Sequence, residues 1–278
     1  MRRALITGAF VVALAGSGAA YHPVTPRAPE PGRHHFGRSA ATAVGMTPPK
    51  PAEQVRGERL LAEASRLLRD ADSVRMVADV TKDGKRIRTD LRMDDRGNCV
   101  GTLDAGPGMR GDLVVLAGKK PEAYLRFTDA SLAELRAMAE QKGGETAARV
   151  GERAALARGK YVKSPPGPKG ADAVAKQCRI GEAMGAQVGN TAGTRARPAV
   201  RRGGRSVVPL VPPAGSGDRG TAYVDARGKP YLRSLQGTSG MAYVSVTFSE
   251  YGAPLSVRRP APGLIVEFPA DEDSMFAV

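Results

Sequence analysis

Along residues 52–71 the apolar positions Leu60, Leu61, Ala64, Leu67, Leu68 and Ala71 recur three and four apart, with charges between them. That spacing predicts an amphipathic helix. From residue 75 the period falls to two. Met76, Ala78 and Val80 alternate with Arg75, Val77 and Asp79. After Lys82-Asp83-Gly84-Lys85, the residues Ile87, Leu91 and Met93 lie on one side, and Arg86, Arg88, Asp90 and Arg92 on the other. Alternation on both sides of an Asp-Gly turn predicts a β-hairpin with one wet face. The runs CVGTLDA, GDLVVLA and EAYLRF extend it into a meander of about five antiparallel strands.

Residues 128–142 (TDASLAELRAMAEQK) return to helical spacing, with Thr128 or Asp129 as N-cap and Leu132, Leu135 and Met138 on the apolar side. Two more helices are expected around residues 145–157 and 171–184, and a mobile basic loop over 185–205. Strands resume in RSVVPLV, TAYVDA, YLRSLQG and MAYVSVTFSEYG. In the last, Val244, Val246 and Phe248 face away from Tyr243, Ser245 and Thr247. A sheet with one wet face must cover the other, and helices are the only long apolar covers. The expected fold is α+β: a strongly curved antiparallel half-barrel of about 9–11 strands with helices on its concave face.

The chain's beginning reads as an export signal. Arg2 and Arg3 precede an apolar stretch over residues 4–15 and small residues over 16–20. The stretch is too short to span the roughly 30 Å hydrocarbon core of a bilayer, and no other segment is apolar enough. The stretch Leu14-Ala15-Gly16-Ser17 differs from a lipoprotein processing site only in having Ser17 for Cys. A hydroxyl cannot replace the thiolate that accepts the lipid. Cleavage is therefore expected near Ala20, releasing an unanchored, monomeric protein to the envelope or medium, with no transmembrane segment in the mature chain. Residues 21–51 are rich in proline and hold all three histidines, His22, His34 and His35, which suits an extended linker. A single domain follows over 52–268, then an acidic tail over 269–278.

Charge adds a partner class. The formal net charge is +14, and residues 143–205 hold much of the excess. With one aromatic in that segment and no recognisable motif, nucleic acid is not the expected partner. An anionic membrane or wall surface is, with Arg149, Arg153, Arg195, Arg197, Arg201, Arg202 and Arg205 as contacts.

Candidate catalytic motifs fail on context. GSGDRG has dinucleotide spacing, but Pro212-Pro213 precede it and a strand follows, so it reads as a turn. Histidine is absent after residue 35, which removes Ser-His-Asp and Cys-His chemistry from the domain. Asp79, Asp90, Asp94, Asp95, Asp104 and Asp225 fall at turns or on the wet face, as solubilising charges. No enzyme activity, cofactor or metal is expected. Cys99 and Cys178 are the only cysteines. In an exported chain they most simply form one disulfide, two buried thiols being the alternative.

The stretch SRLLRDADSVRMVADVTKDGKRIRTDLRMDDRGNCVGTL, the later GKYVK, TAYVDARGKPYLRSLQ and VTFSEYGAPLSVRRP resemble actinobacterial envelope lipoproteins of the LppX/LprG-like, LolA-type fold. The resemblance implies a half-barrel sheltering lipid acyl chains, no catalysis, and a Cys99-Val100-Gly101 element whose disulfide partner Cys178 could be. Relatives often carry tryptophan where Tyr161 stands, and this chain has none. The expected pocket lining is Met76, Val80, Ile87, Leu91, Met93, Leu113, Val115, Leu232, Val244, Val246 and Phe248, the inward alternates of the strands. The expected function is a carrier of lipid or another hydrophobic ligand. The alternative is a structural envelope protein with a filled core, acting through its basic insert.

Overall fold

The computed structural model describes residues 49–168, 170–180, 191–213, 219–239 and 241–268. The expected signal, most of the linker and the acidic tail lie outside the described residues, as does most of GSGDRG.

The hairpin seen in the sequence is the centre of the molecule. Strands β1 (Ser73–Lys82) and β2 (Lys85–Asp94) pair throughout, joined by Asp83 and Gly84 at φ 51° and 72°. Two positive-φ residues make the tight turn whose twist suits a hairpin. β3 (Cys99–Asp104), β4 (Arg110–Leu116) and β5 (Glu122–Phe127) continue on one side. Helices α2 (Asp129–Lys142) and α3 (Gly144–Ala157) then form an antiparallel pair, followed by β6 (Tyr161–Lys163) and α4 (Ala171–Gln177). α4 is shorter than the helix expected over 171–184, whose last four residues lie outside the described ones. On the other side of β1 come β7 (Arg195–Ala196), β8 (Val200–Arg202), β9 (Arg205–Val211), β10 (Arg219–Asp225), β11 (Leu232–Ser239) and β12 (Ala242–Ser249). β13 (Ile265–Val266) pairs in parallel with β6, the one parallel pairing of the sheet as described.

The order β13-β6-β5-β4-β3-β2-β1-β12-β11-β10-β9-β7, with β8 also on β9, gives one 13-stranded, curved and unclosed sheet. The α+β half-barrel is thus the observed class. The strands beyond the expected number are pieces of two or three residues at the edges. Two of these, β7 and β8, lie inside the stretch read as a mobile loop, of which residues 191–205 are described. Arg-rich composition hid a short edge hairpin whose turn is Gly203-Gly204, both at positive φ.

Glycine lets the sheet curl. A Cβ at Gly101 would lie 1.9 Å from the Asp90 carbonyl oxygen, and one at Gly111 would lie 2.2 Å from that of Arg126. Both glycines point inward, so β2, β3, β4 and β5 approach one another there more closely than side chains allow.

The helices cover the concave face unevenly. α1 (Ala52–Arg69) lies on β7 and β9–β11, burying Leu61, Ala64 and Leu68 as its spacing predicts. α4 lies against β4 and β5, and α2 and α3 pack chiefly on each other. Thr128 caps α2, its hydroxyl accepting from the Ser131 amide at 3.1 Å. Cys99 of β3 and Cys178 after α4 are joined in a disulfide with Cα atoms 5.6 Å apart, and no cysteine is free. After β12 the chain passes outside the sheet to β13. It is held by the Gly252 amide on the Ser73 carbonyl, an Arg259–Glu122 pair at 2.6 Å and a Lys163–Glu267 pair at 2.8 Å.

Candidate functional site: the concave apolar strip

Strand register decides which side chains share a face. Met76 lies opposite Leu91 and Phe248, Val80 opposite Ile87 and Val244, and Cys99 opposite Met93 and Val115. Across β11 and β10, Leu235 stands between Val246 and Ala222, while Leu232 pairs with Val224 beyond a bulge. Every residue expected to line a pocket therefore projects from the concave side.

Within that face the side chains fall into two core clusters. The larger joins α1 and α4 to β1–β4 and β9–β12, and includes Leu68, Met76, Leu91, Met93, Leu113, Val115, Leu232, Val244, Val246 and Phe248. The smaller joins α2 and α3 to Leu125, Phe127 and Val162. All the expected lining residues except Val80 and Ile87 are buried as ordinary core, with Met93, Val115 and Leu232 at zero exposure. Val80 and Ile87 are half-buried, as are Ala78, Leu103 and Leu235 on the same face. These side chains form a mostly apolar strip near the β1–β2 turn, interrupted by half-buried Thr89 between Ala78 and Leu103, with Ala78, Val80 and Leu235 on the margin of the larger cluster and Leu103 on that of the smaller. Met109 and Met138, also half-buried, continue the smaller cluster's margin. Ala78, Leu103 and Leu235 were absent from the expected lining, although Ala78 follows Met76 and Leu103 follows Cys99 and Gly101 by simple alternation.

The outer face has a different chemistry. Arg75 forms an ion pair with Asp90 at 2.7 Å and another with Glu250 at 3.1 Å, and Arg92 reaches Glu250 at 2.8 Å. Arg86 pairs with Asp79. Hydrogen bonding from Arg75 holds the Asp90 carboxyl below the usual carboxylate range. Two open depressions, about 180 and 310 Å³, lie on this polar side under residues 252–255 and are lined by groups such as Arg75, Arg92, Asp72 and Asp95. Of the aspartates expected to be solubilising charges, Asp95 and Asp104 are exposed, while Asp79, Asp90 and Asp225 are half-buried in ion pairs with Arg86, Arg75 and Arg233. Asp94 is a correction: it is buried, accepts from the Asn98 amide and side chain at 2.8 and 2.7 Å, and so builds the β2–β3 turn.

The segments that carry the family resemblance do structural work here. Asp225 pairs with Arg233 at 2.5 Å, and the Arg233 guanidinium lies 5.4 and 5.6 Å from the ring centres of Tyr231 and Tyr251. The Tyr251 hydroxyl donates to the Leu232 carbonyl at 2.6 Å, and burial pushes that phenol well above its ordinary pKa. Tyr-Val-Asp, Leu-Arg and Phe-Ser-Glu-Tyr-Gly thus meet at one corner that turns β12 into the outer strap.

The basic residues do not form one surface. Arg149 and Arg153 belong to α3, and Arg153 is buried, its guanidinium 5.3 Å from the Phe268 ring centre. Arg195 is half-buried on β7, with its Nε sealed from solvent. Arg197, Arg201, Arg202 and Arg205 are exposed at the opposite sheet edge from α3. Among the described residues there is no cluster of three or more His, Cys, Asp or Glu able to hold a metal. No described helix is long and apolar enough to cross a membrane.

No family model matches the chain, and no curated protein matches it in sequence. Among solved structures, LprF from Mycobacterium bovis is similar with a TM-score of 0.48 and 15% identity, over 74% of this chain and 98% of that one. The Mycobacterium tuberculosis lipoprotein LppX gives 0.47 and 10%, over 73% and 99%. An uncharacterized conserved protein from Thermus thermophilus gives 0.36 and 10%, over 77% and 99%. At these values the likeness bears on neither ligand nor partner.

Proposed function

We propose that this chain is an exported, non-enzymatic envelope protein that binds or carries a hydrophobic ligand between its curved sheet and its helices. The observation that carries the reading is the half-buried strip Ala78, Val80, Ile87, Leu103 and Leu235, a mostly apolar margin beside the buried core of the concave face. Each methylene of an acyl chain buried there contributes about 0.8 kcal/mol without polar recognition. The buried part of the expected lining, from Met93 to Leu232, is the floor on which such a chain lies. The disulfide suits an oxidising, extracytoplasmic compartment, and the sequence resemblance supports the same reading. Release without an anchor follows from Ser17 and belongs to this proposal.

Native mass spectrometry tests it. The full chain is stripped with mild organic solvent, then incubated with a fatty acid and with a diacyl phospholipid. One or both adducts are expected, and they should disappear in Ile87→Glu, whose carboxylate would stand in the strip. A chain that takes up neither lipid, or an Ile87→Glu variant that retains both, would overturn the reading.

A further inference from the structure

The sheet edge opposite the α2–α3 pair carries a group of cations that the hydrophobic-ligand reading does not use. β8 and β9 form a hairpin in which Arg202 stands directly opposite Arg205. Like charges facing each other across two strands destabilise the pair. The turn after the next strand adds to the group. The Asp225–Val207 pair and the Ala226 amide on the Ser206 carbonyl at 3.0 Å end the β9–β10 ladder, and Arg227 follows at the start of the β10–β11 turn. Lys229 lies two residues further, in the turn between β10 and β11. All four side chains are exposed, and among the described residues none forms an ion pair with a carboxylate. The nearby Asp225 is already engaged by Arg233. Arg202 does have a contact, its guanidinium 4.2 Å from the ring centre of Tyr223. Arg205 and Arg227 have no such role.

We infer that Arg202, Arg205 and Arg227, with Lys229, form a docking site for a linear polyanion bearing phosphate groups. Arg202 and Arg205 sit on adjacent strands about 4.8 Å apart, and Arg227 and Lys229 follow in the neighbouring β10–β11 turn, a spread that meets consecutive charges along a chain rather than one small ion. Guanidinium forks suit phosphate oxygens in pairs. A lipid surface fits less well, because interfacial binding draws on buried apolar area as well as charge. The group has only Val200, 44% exposed, beside it on β8. The site also replaces the broader basic insert expected from sequence: α3 contributes nothing, and Arg227 and Lys229 come from outside that insert. It stands independently of the hydrophobic ligand.

The test uses the full chain and end-labelled inorganic polyphosphate, read by fluorescence polarisation at low and moderate salt. Binding should weaken steeply with salt, the log–log slope shrinking by about 0.7 for each phosphate contact removed. Arg205→Gln/Arg227→Gln should lose about tenfold or more in affinity and flatten that slope. Arg205→Lys/Arg227→Lys should keep the slope and lose part of the affinity. Lys119→Gln/Lys120→Gln, an equal charge change at the exposed β4–β5 turn, should stay within about twofold, since distant exposed charges are largely screened. The inference fails if polyphosphate does not bind, or if both glutamine doubles weaken it equally. It also fails if phosphatidylglycerol vesicles bind the chain while polyphosphate does not.

Discussion

Glu58 shows how one side chain can join a helix to the turn that leads into a distant strand. Its carboxylate accepts from Lys50 at 2.8 Å, from Gln54 at 2.9 Å and from the Gly193 amide at 2.7 Å, so its pKa is held down to about 2. A group whose folded pKa is depressed stabilises the fold above its unfolded value and loses that contribution as pH falls. Glu58→Gln should therefore have a lower urea midpoint than the parent at pH 7. The gap should close as pH falls from about 4.5 towards 2, the window set by the unfolded and folded values. A gap unchanged at pH 2 would mean that ionisation is irrelevant. One residue away, a Cβ at Gly57 would sit 2.4 Å from the Thr194 carbonyl oxygen, so α1 touches β7 backbone to backbone. Gly101 is tighter still. Gly101→Ala should cost about 1–3 kcal/mol, the usual range for overpacking, read as a lower denaturation midpoint. An unchanged midpoint would show that the curl does not depend on it.

At the scale of elements, α4 is the shortest of the four described α-helices. Seven residues are too few for a helix to persist alone in water, and the disulfide immediately after it ties it to β3. The bridged cysteines are 79 residues apart in sequence. Closing a loop of that size removes about 4 kcal/mol of freedom from the unfolded chain in the chain-entropy picture, with about 2–4 kcal/mol typically realised. Cys99→Ser/Cys178→Ser should lower stability by that amount, and amide exchange in α4 should accelerate more than exchange in β1 and β2. Uniform acceleration would place the effect on global stability alone.

For the molecule as a whole, the sealed and half-open parts of the concave face should respond differently. Met93→Ala removes a fully buried side chain and should cost about 2–5 kcal/mol while leaving lipid adducts in native mass spectra intact. Val80→Glu should cost far less stability and abolish the adducts. Parallel behaviour of the two variants would remove the distinction between floor and strip.

Sequence alone determined the long elements and their faces, but not the short edge strands β7 and β8 or the end of α4. Alternation in β1, β2 and β12 and the helical spacing in α1 and α2 report local geometry, which a side chain expresses wherever it lies. The disulfide was legible as one of two readings. Tertiary structure decided which inward residues are sealed. Val80 and Met76 are equivalent in sequence, but burial depends on which helix covers them, and those contacts come from residues far along the chain. Asp94 was decided locally, by Asn98 four residues on, which makes it a turn builder, whereas the basic residues split between α3 and the β8–β9 edge. Charge counted along a segment carries no direction in space. Only the pairing of β8 with β9, and of β9 with β10, brings Arg202 and Arg205 to the sheet edge that the turn bearing Arg227 adjoins.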